Sequence, residues 1–360
     1  MEEGSTFAIV MAGGVGTRFW PKSRRKNPKQ FLKLLGKASL LDDTLLRIQK
    51  IVSPTNCFVV TNKTYHDQVV ASLGNVPKEN IILEPSNKET ISCVALAAAK
   101  LAAKNPRAVI LALPADHYIG NEEEYQQSIE NAIAYAHKHD AFVTLGVQPS
   151  EPKTGYGYIK YQREKEVEPG VFNVERFTEK PDVQTARLFL KEENYLWNSG
   201  IFAFSLPVFF SAIDKYLPAM GPGIRRITRH VGKKTEGKVI ESAYRNFPKT
   251  SIDYGLMEKV DNIVVLPTSF IWDDVGSWNA LEKYLPKDNG NNSLSGGKFI
   301  SVDTSGCIID SEAKLIAAIG VKDLIIIQSG DCLLICHKSR DQEVKKLVEE
   351  LKTQGLEEYL

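Results

Sequence analysis

The sequence contains little that would indicate a secreted, membrane-bound or nucleic-acid-binding protein. Its five cysteines are odd in number and scattered, without the spacing of a disulfide framework, which indicates a reducing compartment. No apolar run approaches the ~20 residues that a membrane span requires. The net charge of +1 argues against a general nucleic-acid binder, because such proteins carry a large basic surface. Residues 1–6 are acidic and do not resemble a signal peptide, so we expect a cytoplasmic protein.

Two common kinds of site are also missing from the sequence pattern. No arrangement of nucleophile and base of the Ser/His/Asp type stands out. Cys332, Cys336 and His337 have a spacing that could suggest zinc, but 332–336 reads CLLIC, which is the pattern of an apolar strand. The composition, with 43% apolar and 25% charged residues in a chain of 360, is typical of a globular protein too long for one small domain.

The most informative stretch that is present lies at 7–33. An apolar run at 7–11 ends in Gly13-Gly14-Val15-Gly16-Thr17-Arg18, the pattern of a buried strand followed by a glycine-rich turn. Glycines at such a turn let backbone N–H groups approach a polyanion closely. No acidic residue occurs in this stretch, and we therefore predict a triphosphate site. The cations in it are Arg18, Lys22, Arg24, Arg25, Lys26, Lys29 and Lys33.

Two familiar phosphate-binding loops do not match this stretch. A Walker loop ends in Gly-Lys-Ser/Thr, and Gly16-Thr17-Arg18 has no lysine or second glycine in that register. A dinucleotide-binding fingerprint requires Gly-x-Gly-x-x-Gly, whereas Gly14-x-Gly16 is followed by Phe19 at the last position. An ordinary tight turn between strand and helix stays open as the structural alternative, although the run of cations disfavours it.

The same stretch resembles the signature of the sugar-nucleotidyltransferases, and its form GGVGTRFWPKSRRKNPKQF is similar to that of the mannose-1-phosphate guanylyltransferase branch. Further motifs that resemble this family follow in the family's order and span most of the chain. They are Glu84-Pro85, Pro114-Ala115-Asp116-His117, Gly155-Tyr156-Gly157-Tyr158-Ile159, Phe177-Thr178-Glu179-Lys180-Pro181, Trp197-Asn198-Ser199-Gly200 and Trp272-Asp273-Asp274-Val275-Gly276-Ser277-Trp278.

The resemblance implies an enzyme that transfers a guanylyl group from GTP to mannose 1-phosphate and releases pyrophosphate, with Mg²⁺ as its cofactor. The sugar phosphate is already an anion at neutral pH, so the reaction needs no general base. Positioning and charge neutralisation should then dominate catalysis. Two alternatives stay open. One is a nucleotidyltransferase for another sugar or nucleotide, and the other is a non-catalytic regulatory subunit on the same fold.

Residue roles follow from matching the family's motifs. Asp116 and Asp274 are the candidate Mg²⁺ ligands, with Asp273 as the competitor of Asp274. Together with Arg18 and Lys29 they are the expected catalytic residues, Arg24 being a weaker third cation. His117 is expected to orient its loop rather than bind metal, and a helix N-cap is the structural alternative for Asp116. The expected nucleotide contacts are Ala12, Gly13, Gly14, Gly16, Thr17, Arg18, Lys29, Pro85 and Asp116.

A second group of residues is expected to bind the sugar phosphate. Lys180 would hold the phosphate, Glu179 and Asn198 would bind sugar hydroxyls, and Gly155 would let the backbone approach the ring. Each has a structural alternative. Glu179 and Lys180 could form a surface ion pair of little energetic value, and Asn198 could belong to a turn before Ser199.

Apolar runs alternate with helical patterns in the first half of the chain. This alternation predicts an α/β fold with a doubly wound, mostly parallel sheet, in which ligands bind beyond the carboxyl ends of the strands. The predicted strands are 7–11, 57–61, 80–83, 108–113 and 142–147, and the predicted helices are 40–51, 65–73, 91–104 and 122–137.

The second half of the chain is divided by a change in composition. We predict a catalytic domain at 1–285, a linker at 286–297, and a small β module at 298–360 that resembles coils of a β-helix and ends in a helix at 341–354. The resemblance implies that this module forms a homo-oligomer, a dimer. Within the catalytic domain we expect a hairpin at 155–177, a strand at 197–204, helices at 207–216 and 253–259, a strand at 263–267, and a loop or mobile helix at 220–237.

Overall fold

The computed structural model describes residues 5–312 and 315–360, which divide into two compact units. The first unit comprises residues 5–13, Thr44–Ala115 and Ile119–Trp272. The second unit comprises Gly14–Asp43, Asp116–Tyr118 and the described part of Asp273–Leu360. The expectation of no signal peptide depends on residues 1–6. Of these, residues 1–4 lie outside the described part of the chain. Among the helices of the described residues, none is long and apolar enough to cross a membrane.

The strands and α-helices are numbered in chain order. The strands are β1 (Thr6–Met11), β2 (Cys57–Asn62), β3 (Ile81–Glu84), β4 (Val109–Pro114), β5 (Tyr118–Gly120), β6 (Phe142–Val147), β7 (Tyr158–Glu168), β8 (Val171–Thr178), β9 (Tyr195–Ser205), β10 (Ile263–Thr268), β11 (Ile271–Asp273), β12 (Ser293–Ser295), β13 (Lys298–Val302), β14 (Ile308–Ser311), β15 (Leu315–Ile319), β16 (Leu324–Ser329) and β17 (Cys332–His337). The α-helices are α1 (Leu40–Ile48), α2 (His66–Ser72), α3 (Glu89–Ala102), α4 (Glu122–Lys138), α5 (Val183–Lys191), α6 (Leu206–Tyr216), α7 (Gly221–His230), α8 (Glu236–Asn246), α9 (Trp278–Leu281) and α10 (Val344–Thr353).

Within the described part of the chain, one sheet of the first unit has the strand order β3-β2-β1-β4-β9-β6-β10-β8-β7. β1 pairs in parallel with β2 and β4, and β10 pairs in parallel with β6. β9 runs antiparallel to β4 and β6, and β8 runs antiparallel to β10. Successive residues of β1, β4 and β6 are buried, as in strands covered on both faces. The predicted α/β fold with a mostly parallel sheet is confirmed, and β8 and β9 are its exceptions.

Of the two expected alternatives at 220–237, a loop or a mobile helix, the structure has a helix. The region contains the regular helix α7, and the unpredicted helix α8 begins at its end. α7 packs against α8, and the apolar contact residues of α7 include the buried Ile224 and Ile227. Glycine and basic residues surround this narrow apolar face, which is why the local composition resembled a loop. The helix predicted at 253–259 is present as a short π-helix, Asp253–Met257.

The C-terminal strands of the second unit wind as successive coils. β12, β14 and β16 pair in parallel in one sheet, while β13 and β15 pair in parallel in another. The chain passes from one sheet to the other in each coil, and β17 returns antiparallel to β16. The predicted β-helix-like module is thus confirmed. Its first strand, β12, lies inside the predicted linker, and the predicted domain boundaries stay predictions.

One apolar core of the second unit joins residues from both ends of the sequence. Phe19 and Trp20, next to the glycine-rich turn, pack in the same cluster as Trp278, Val344 and Val348. Trp278 is fully buried, its ring meets that of Phe19 edge to face with 5.0 Å between centroids, and its indole N–H donates to the backbone oxygen of Trp20 at 3.3 Å. Buried aromatic pairs of this kind contribute strongly to packing. The glycine-rich turn is therefore held by the same core as the C-terminal helix α10.

Candidate nucleotide and sugar-phosphate sites

The second unit contains a cavity of about 360 Å³ beside the glycine-rich turn, which we call the Lys29 cavity. Five separate stretches of the sequence line it. Asp116 follows β4 in the sequence and Asp274 follows β11, so the expected convergence of residues from strand ends on one crevice is found here. Its lining includes Gly16, Thr17, Arg18, Phe19, Lys29, Asp116, His117, Asp274, Val275, Gly276 and Lys345.

Lys29 is the most buried charged residue of this cavity, with 6% of its surface exposed. Its ammonium lies 2.9 Å from Asp116 Oδ2 and donates to the backbone oxygen of Asp274 at 2.5 Å. Gly16 has a φ of 69°, and a Cβ at this position would lie 2.3 Å from the Cβ of Lys29. Only glycine satisfies both the backbone angle and this close approach. The glycine-rich turn therefore has a structural role in placing Lys29.

The Lys29 ammonium lowers the pKa values of its neighbours Asp116 and His117, and burial shifts both pKa values as well. Burial alone would raise the pKa of Asp116, but Lys29 and His117 outweigh it, so the pKa of Asp116 lies below its ordinary value. The pKa of His117 is lowered, chiefly because burial disfavours the imidazolium and only partly because Lys29 repels it. Asp116 is consequently a carboxylate at neutral pH and His117 is neutral. A carboxylate of this kind is suited to binding a cation.

Asp273 and Asp274 occupy different environments. Asp273 is 3% exposed; its carboxylate accepts from the backbone N–H of Val275 at 2.7 Å and lies 2.5 Å from the Lys283 ammonium. Asp274 lines the Lys29 cavity. Val275, which follows the two acids, has a φ of 47°, a left-handed backbone conformation. The geometry thus favours Asp274 over Asp273 as a residue that meets a ligand.

Several cations of the signature stretch pair with the C-terminal module instead of lining this cavity. Lys22 lies 2.6 Å from both carboxylate oxygens of the buried Asp310. Arg24, the weaker third candidate for a triphosphate contact, donates to Asp331 at 2.7 Å and to the backbone oxygen of Ser329 at 3.1 Å. These pairs anchor the stretch in the second unit. Sequence inspection could not assign them, because the acidic partners lie far away in the sequence.

The first unit brings together three of the expected sugar-phosphate residues. The Lys180 ammonium lies 2.6 Å from Glu179 Oε1, and a Cβ at Gly157 would lie 2.4 Å from Glu179 Oε2 and 3.2 Å from the Cβ of Asn198. The Asn198 amide donates to Asp253 Oδ1 at 3.0 Å. We call these residues with Asp253 the Glu179 cluster. Sequence inspection missed Asp253, since no motif contains it.

The Glu179 cluster concentrates negative charge. Burial raises the pKa of Glu179, and the neighbouring Asp253 raises it further. Burial likewise raises the pKa of Asp253. Burial lowers the pKa of Lys180, but Glu179 and Asp253 outweigh it, so its pKa lies above the ordinary value. Gly155, in contrast, has no heavy atom of the described residues within 4 Å of where a Cβ would stand, so no close packing requires glycine there.

A third group of residues lies at the end of β3 in the first unit. Glu84 is 8% exposed, and its Oε1 accepts from the Tyr244 hydroxyl at 3.0 Å. Its Oε2 would lie 3.7 Å from a Cβ at Gly13. Burial raises the pKa of Glu84 to about 7, although the Tyr244 hydroxyl lowers it. Pro85, the expected contact, is exposed next to it. The sequence contained Glu84 in a motif but gave no reason to assign its side chain a role.

The backbone of the glycine-rich turn is less available at its start than expected. The Ala12 N–H donates to the backbone oxygen of Val60 at 2.8 Å, and its carbonyl accepts from the Thr61 hydroxyl at 2.9 Å. Gly14 is exposed, and a Cβ there would meet no heavy atom of the described residues within 4 Å. Ala12 therefore continues β1, and the open part of the turn begins after it.

The chain is similar to known proteins along nearly its whole length. Residues 7–290 match the Nucleotidyl transferase family, and residues 297–351 match the MannoseP isomerase/GMP-like beta-helix domain. The chain is 36% identical over 359 residues to a mannose-1-phosphate guanylyltransferase of Klebsiella pneumoniae, and the alignment covers 98% of this chain and 75% of that protein. A mannose-1-phosphate guanylyltransferase of Escherichia coli K12 is 34% identical, with coverage of 100% and 76%. The chain belongs to the mannose-1-phosphate guanylyltransferase family.

Solved structures agree with this family. A Thermus thermophilus structure named mannose-1-phosphate geranyltransferase superposes with a TM-score of 0.86 at 34% identity, covering 97% of this chain and 99% of that one. A Helicobacter pylori structure named mannose-6-phosphate isomerase superposes with a TM-score of 0.61 at 26% identity, covering 75% and 99%. The mannose-1-phosphate guanylyltransferase family and its nucleotidyltransferase fold, suggested by the sequence motifs, are confirmed.

The Lys29 cavity fits a divalent cation with few protein ligands. Among the described residues, no group of three or more His, Cys, Asp or Glu side chains is placed to hold a metal ion. Asp116 and Asp274 nevertheless line one cavity, and Mg²⁺ is commonly bound by one or two carboxylates together with phosphate oxygens and water. This donor set suits a metal that arrives with a phosphorylated substrate. It differs from the four-ligand sets rich in Cys and His that hold structural zinc.

Proposed function

We propose that this chain transfers a guanylyl group from GTP to α-D-mannose 1-phosphate, giving GDP-mannose and pyrophosphate. The observation that carries the proposal is the similarity to mannose-1-phosphate guanylyltransferases over nearly the whole chain. The Lys29 cavity supports it, because cations and two carboxylates line one space beside a glycine-rich turn. The expected dimer through the C-terminal module and the cytoplasmic location stay predictions.

In this reaction a phosphate oxygen of mannose 1-phosphate attacks the α-phosphorus of GTP in line, and pyrophosphate leaves. The nucleophile is already ionised, so the protein has to bind, align and neutralise charge. We assign Arg18 and Lys29 to the triphosphate and to the negative charge that develops on the leaving pyrophosphate. Gly16 and Thr17 would contribute backbone and hydroxyl groups to the same phosphates, since they line the cavity with these cations.

We assign the metal role to Asp116 and Asp274, with Mg²⁺ as the metal. When bound, Mg²⁺ supplies charge neutralisation for phosphate oxygens. Lys29 acts on both ligand loops: its ammonium holds the Asp116 carboxylate in the ionised state and fixes the backbone oxygen of Asp274. The neutral imidazole of His117 adds no positive charge beside these carboxylates, which supports a positioning role for it.

We assign mannose 1-phosphate to the Glu179 cluster. Glu179 and Asn198 provide acceptors and donors for sugar hydroxyls, and Lys180 provides a cation for the phosphate. Because the Lys180 side chain is 56% exposed, its ammonium is accessible to an anionic ligand. Gly155 keeps its proposed backbone contact with the ring.

Lys180→Met is expected to raise the KM for mannose 1-phosphate about tenfold, because one cation–phosphate contact is worth roughly 1–3 kcal/mol. Methionine is about as long as lysine and is likewise unbranched at Cβ, so it adopts the backbone φ of 47° at this position no less easily than lysine. Steady-state pyrophosphate release with each substrate varied in turn measures the effect, and Lys191→Met, at the end of α5, is the control. A change confined to the KM for GTP would move Lys180 to the nucleotide side of the reaction.

We assign the guanine base to Glu84. Guanine presents two adjacent donors, N1–H and the exocyclic amine, and an ionised carboxylate accepts from both, which adenine cannot match. Glu84 is buried beside Gly13 of the glycine-rich turn, and its Oε2 faces that glycine. The backbone around Gly13 and Pro85 stays a candidate for further base contacts. This assignment gives a reason for the choice of GTP.

Pyrophosphate release from the purified protein tests the proposed function. Each nucleoside triphosphate is combined with mannose 1-phosphate and with glucose 1-phosphate, with and without Mg²⁺. Release with GTP and mannose 1-phosphate alone, dependent on Mg²⁺, is expected. Release with another pair would contradict the specificity. No release with any pair from folded protein would favour the regulatory-subunit alternative, which the intact set of cations and carboxylates in the Lys29 cavity otherwise disfavours.

A further inference from the structure

A lysine of the C-terminal helix α10 lies in the lining of the Lys29 cavity. Lys345 contributes to this cavity together with Arg18, Lys29, Asp116 and Asp274, although it stands more than 300 residues after the glycine-rich turn in the sequence. We propose that Lys345 binds the phosphates of GTP that leave as pyrophosphate. The proposal rests on the proposed function of the cavity and adds a residue from the C-terminal module to it.

The charge in the cavity explains why a further cation is needed. The Lys29 ammonium is already paired with Asp116 and donates to the backbone oxygen of Asp274, so much of its charge is neutralised within the protein. A triphosphate brings several negative charges, and pyrophosphate keeps most of them when it leaves. Arg18 and Lys345 are the exposed cations in the lining, and exposed side chains can reach an arriving anion. The two together would supply the charge that Lys29 cannot.

The position of Lys345 is fixed by its neighbours in the core. Val344 and Val348 of α10 are buried in the same apolar cluster as Phe19, and α10 packs against the turn Thr17–Phe19. Just before the helix, the buried Asp341 accepts from the Ser277 hydroxyl at 2.5 Å. The helix is thus held against both loops that line the cavity, one before Phe19 and one after Asp274. This support positions the backbone from which the Lys345 side chain joins the cavity lining.

The Lys345 side chain is held only weakly in the absence of a ligand. Its ammonium lies 4.0 Å from Glu349, one helical turn away, and the side chain is 61% exposed. Such pairs contribute a few tenths of a kcal/mol, so a phosphate can take over the ammonium. The next residue, Lys346, is 77% exposed, pairs with Glu343 at 3.3 Å and is not in the cavity lining. The two adjacent lysines therefore differ in position and offer a matched comparison.

This role of Lys345 was not predicted from the sequence. The predicted terminal helix has an apolar face that is expected to be buried and a polar face. Lysines on such a polar face are usually solvated and have no ligand. The glycine-rich turn and Lys345 come together only because the second unit is assembled from both ends of the chain. A residue of this kind can be found only from the packed structure.

The test compares Lys345→Met with Lys346→Met in the full chain. Isothermal titration with pyrophosphate in the presence of Mg²⁺ is expected to give a Kd about tenfold higher for Lys345→Met and unchanged for Lys346→Met. In steady-state assays the KM for GTP should rise by a similar factor in Lys345→Met alone, while the KM for mannose 1-phosphate stays the same. Lys345→Arg should restore most of the affinity, because arginine also binds phosphate.

Several outcomes would overturn the proposal. Equal pyrophosphate affinity in the two methionine variants would do so. A thermal midpoint of Lys345→Met low enough to leave part of the protein unfolded during the titration, and so to explain the loss of affinity, would do so as well. A wild-type protein that binds pyrophosphate but turns over no substrate pair would remove the proposed function, and the comparison of affinities would still decide the role of Lys345.

Discussion

Asp274→Asn is expected to lower kcat by about 10³-fold and to leave the folded structure intact. The substitution keeps the size of the side chain but removes one of two carboxylates in the Lys29 cavity, and removal of a preorganised charge at a reacting phosphate typically costs factors of 10²–10³. The backbone oxygen of Asp274, which accepts from Lys29, is unaffected by the change. Pyrophosphate release at saturating GTP and mannose 1-phosphate, over a range of Mg²⁺ concentrations, measures the loss.

Asp273→Asn is the matched control one residue away. Asp273 is buried, accepts from the Val275 N–H and pairs with Lys283, so its carboxylate supports the loop rather than a ligand. Asparagine can still accept from Val275 but leaves Lys283 without its partner. We expect a loss of about 1–3 kcal/mol in the free energy of unfolding and a kcat within a few-fold of the wild-type value. Full activity in Asp274→Asn together with an inactive, well-folded Asp273→Asn would reverse the assignment of the two acids.

The parts of this fold that the sequence predicted are those that depend on short segments. β6 has the predicted bounds, because an uninterrupted apolar run specifies a buried strand without reference to the rest of the chain. The glycine-rich turn and the loops at Asp116 and Asp274 were found for the same reason, since each is one motif at the end of one strand. The general rule for strand ends in such sheets applies to the glycine-rich turn after β1 and to Asp116 after β4, whereas Asp274 follows β11, which pairs with β5 in a separate two-stranded sheet.

What the sequence could not predict depends on partners far away in the chain. Lys22 and Asp310 are 288 residues apart, so the run of cations was interpreted as a single phosphate-binding cluster. The antiparallel position of β9 in the middle of the sheet is likewise a matter of topology, which strand and helix patterns do not contain. Residues 14–43 share a compact unit with residues after 273, a grouping of distant segments that composition does not show.

Glu84→Gln is expected to lower kcat/KM for GTP about 100-fold. A glutamine can accept from one guanine donor, but its own amide then meets the second donor, and a mismatched buried polar group costs roughly 2–3 kcal/mol. Because the pKa of Glu84 is raised to about 7, the wild-type affinity for GTP should also fall as the pH drops below 7 and the carboxylate takes up a proton. The GTP affinity of Glu84→Gln should not change with pH in this way, because glutamine does not titrate. Binding of GTP measured by titration calorimetry between pH 5.5 and 8.5 tests both statements.

The same substitution should make the protein more stable at high pH. The ordinary pKa of the carboxyl group is 4.5 and its pKa in the folded protein is about 7, so the folded state binds the proton more tightly than the unfolded state. The contribution of Glu84 to the wild-type free energy of unfolding is therefore most favourable below about pH 4.5 and falls as the pH rises to 7, by about 3 kcal/mol in total. Glu84→Gln has no charge to bury, so its advantage should be absent at pH 4.5 and complete at pH 8.

Tyr244→Phe separates the base contact from the internal hydrogen bond of Glu84. It keeps the carboxylate but removes the hydroxyl that donates to Oε1 at 3.0 Å and lowers the pKa of Glu84. The pH at which GTP affinity begins to fall should then be higher than in the wild-type protein. At pH 8.5 the affinity should be reduced much less than in Glu84→Gln. If Glu84→Gln used GTP as well as the wild-type protein and showed only the gain in stability, Glu84 would be a buried structural acid, and guanine would have to be read by backbone groups near Gly13 and Pro85.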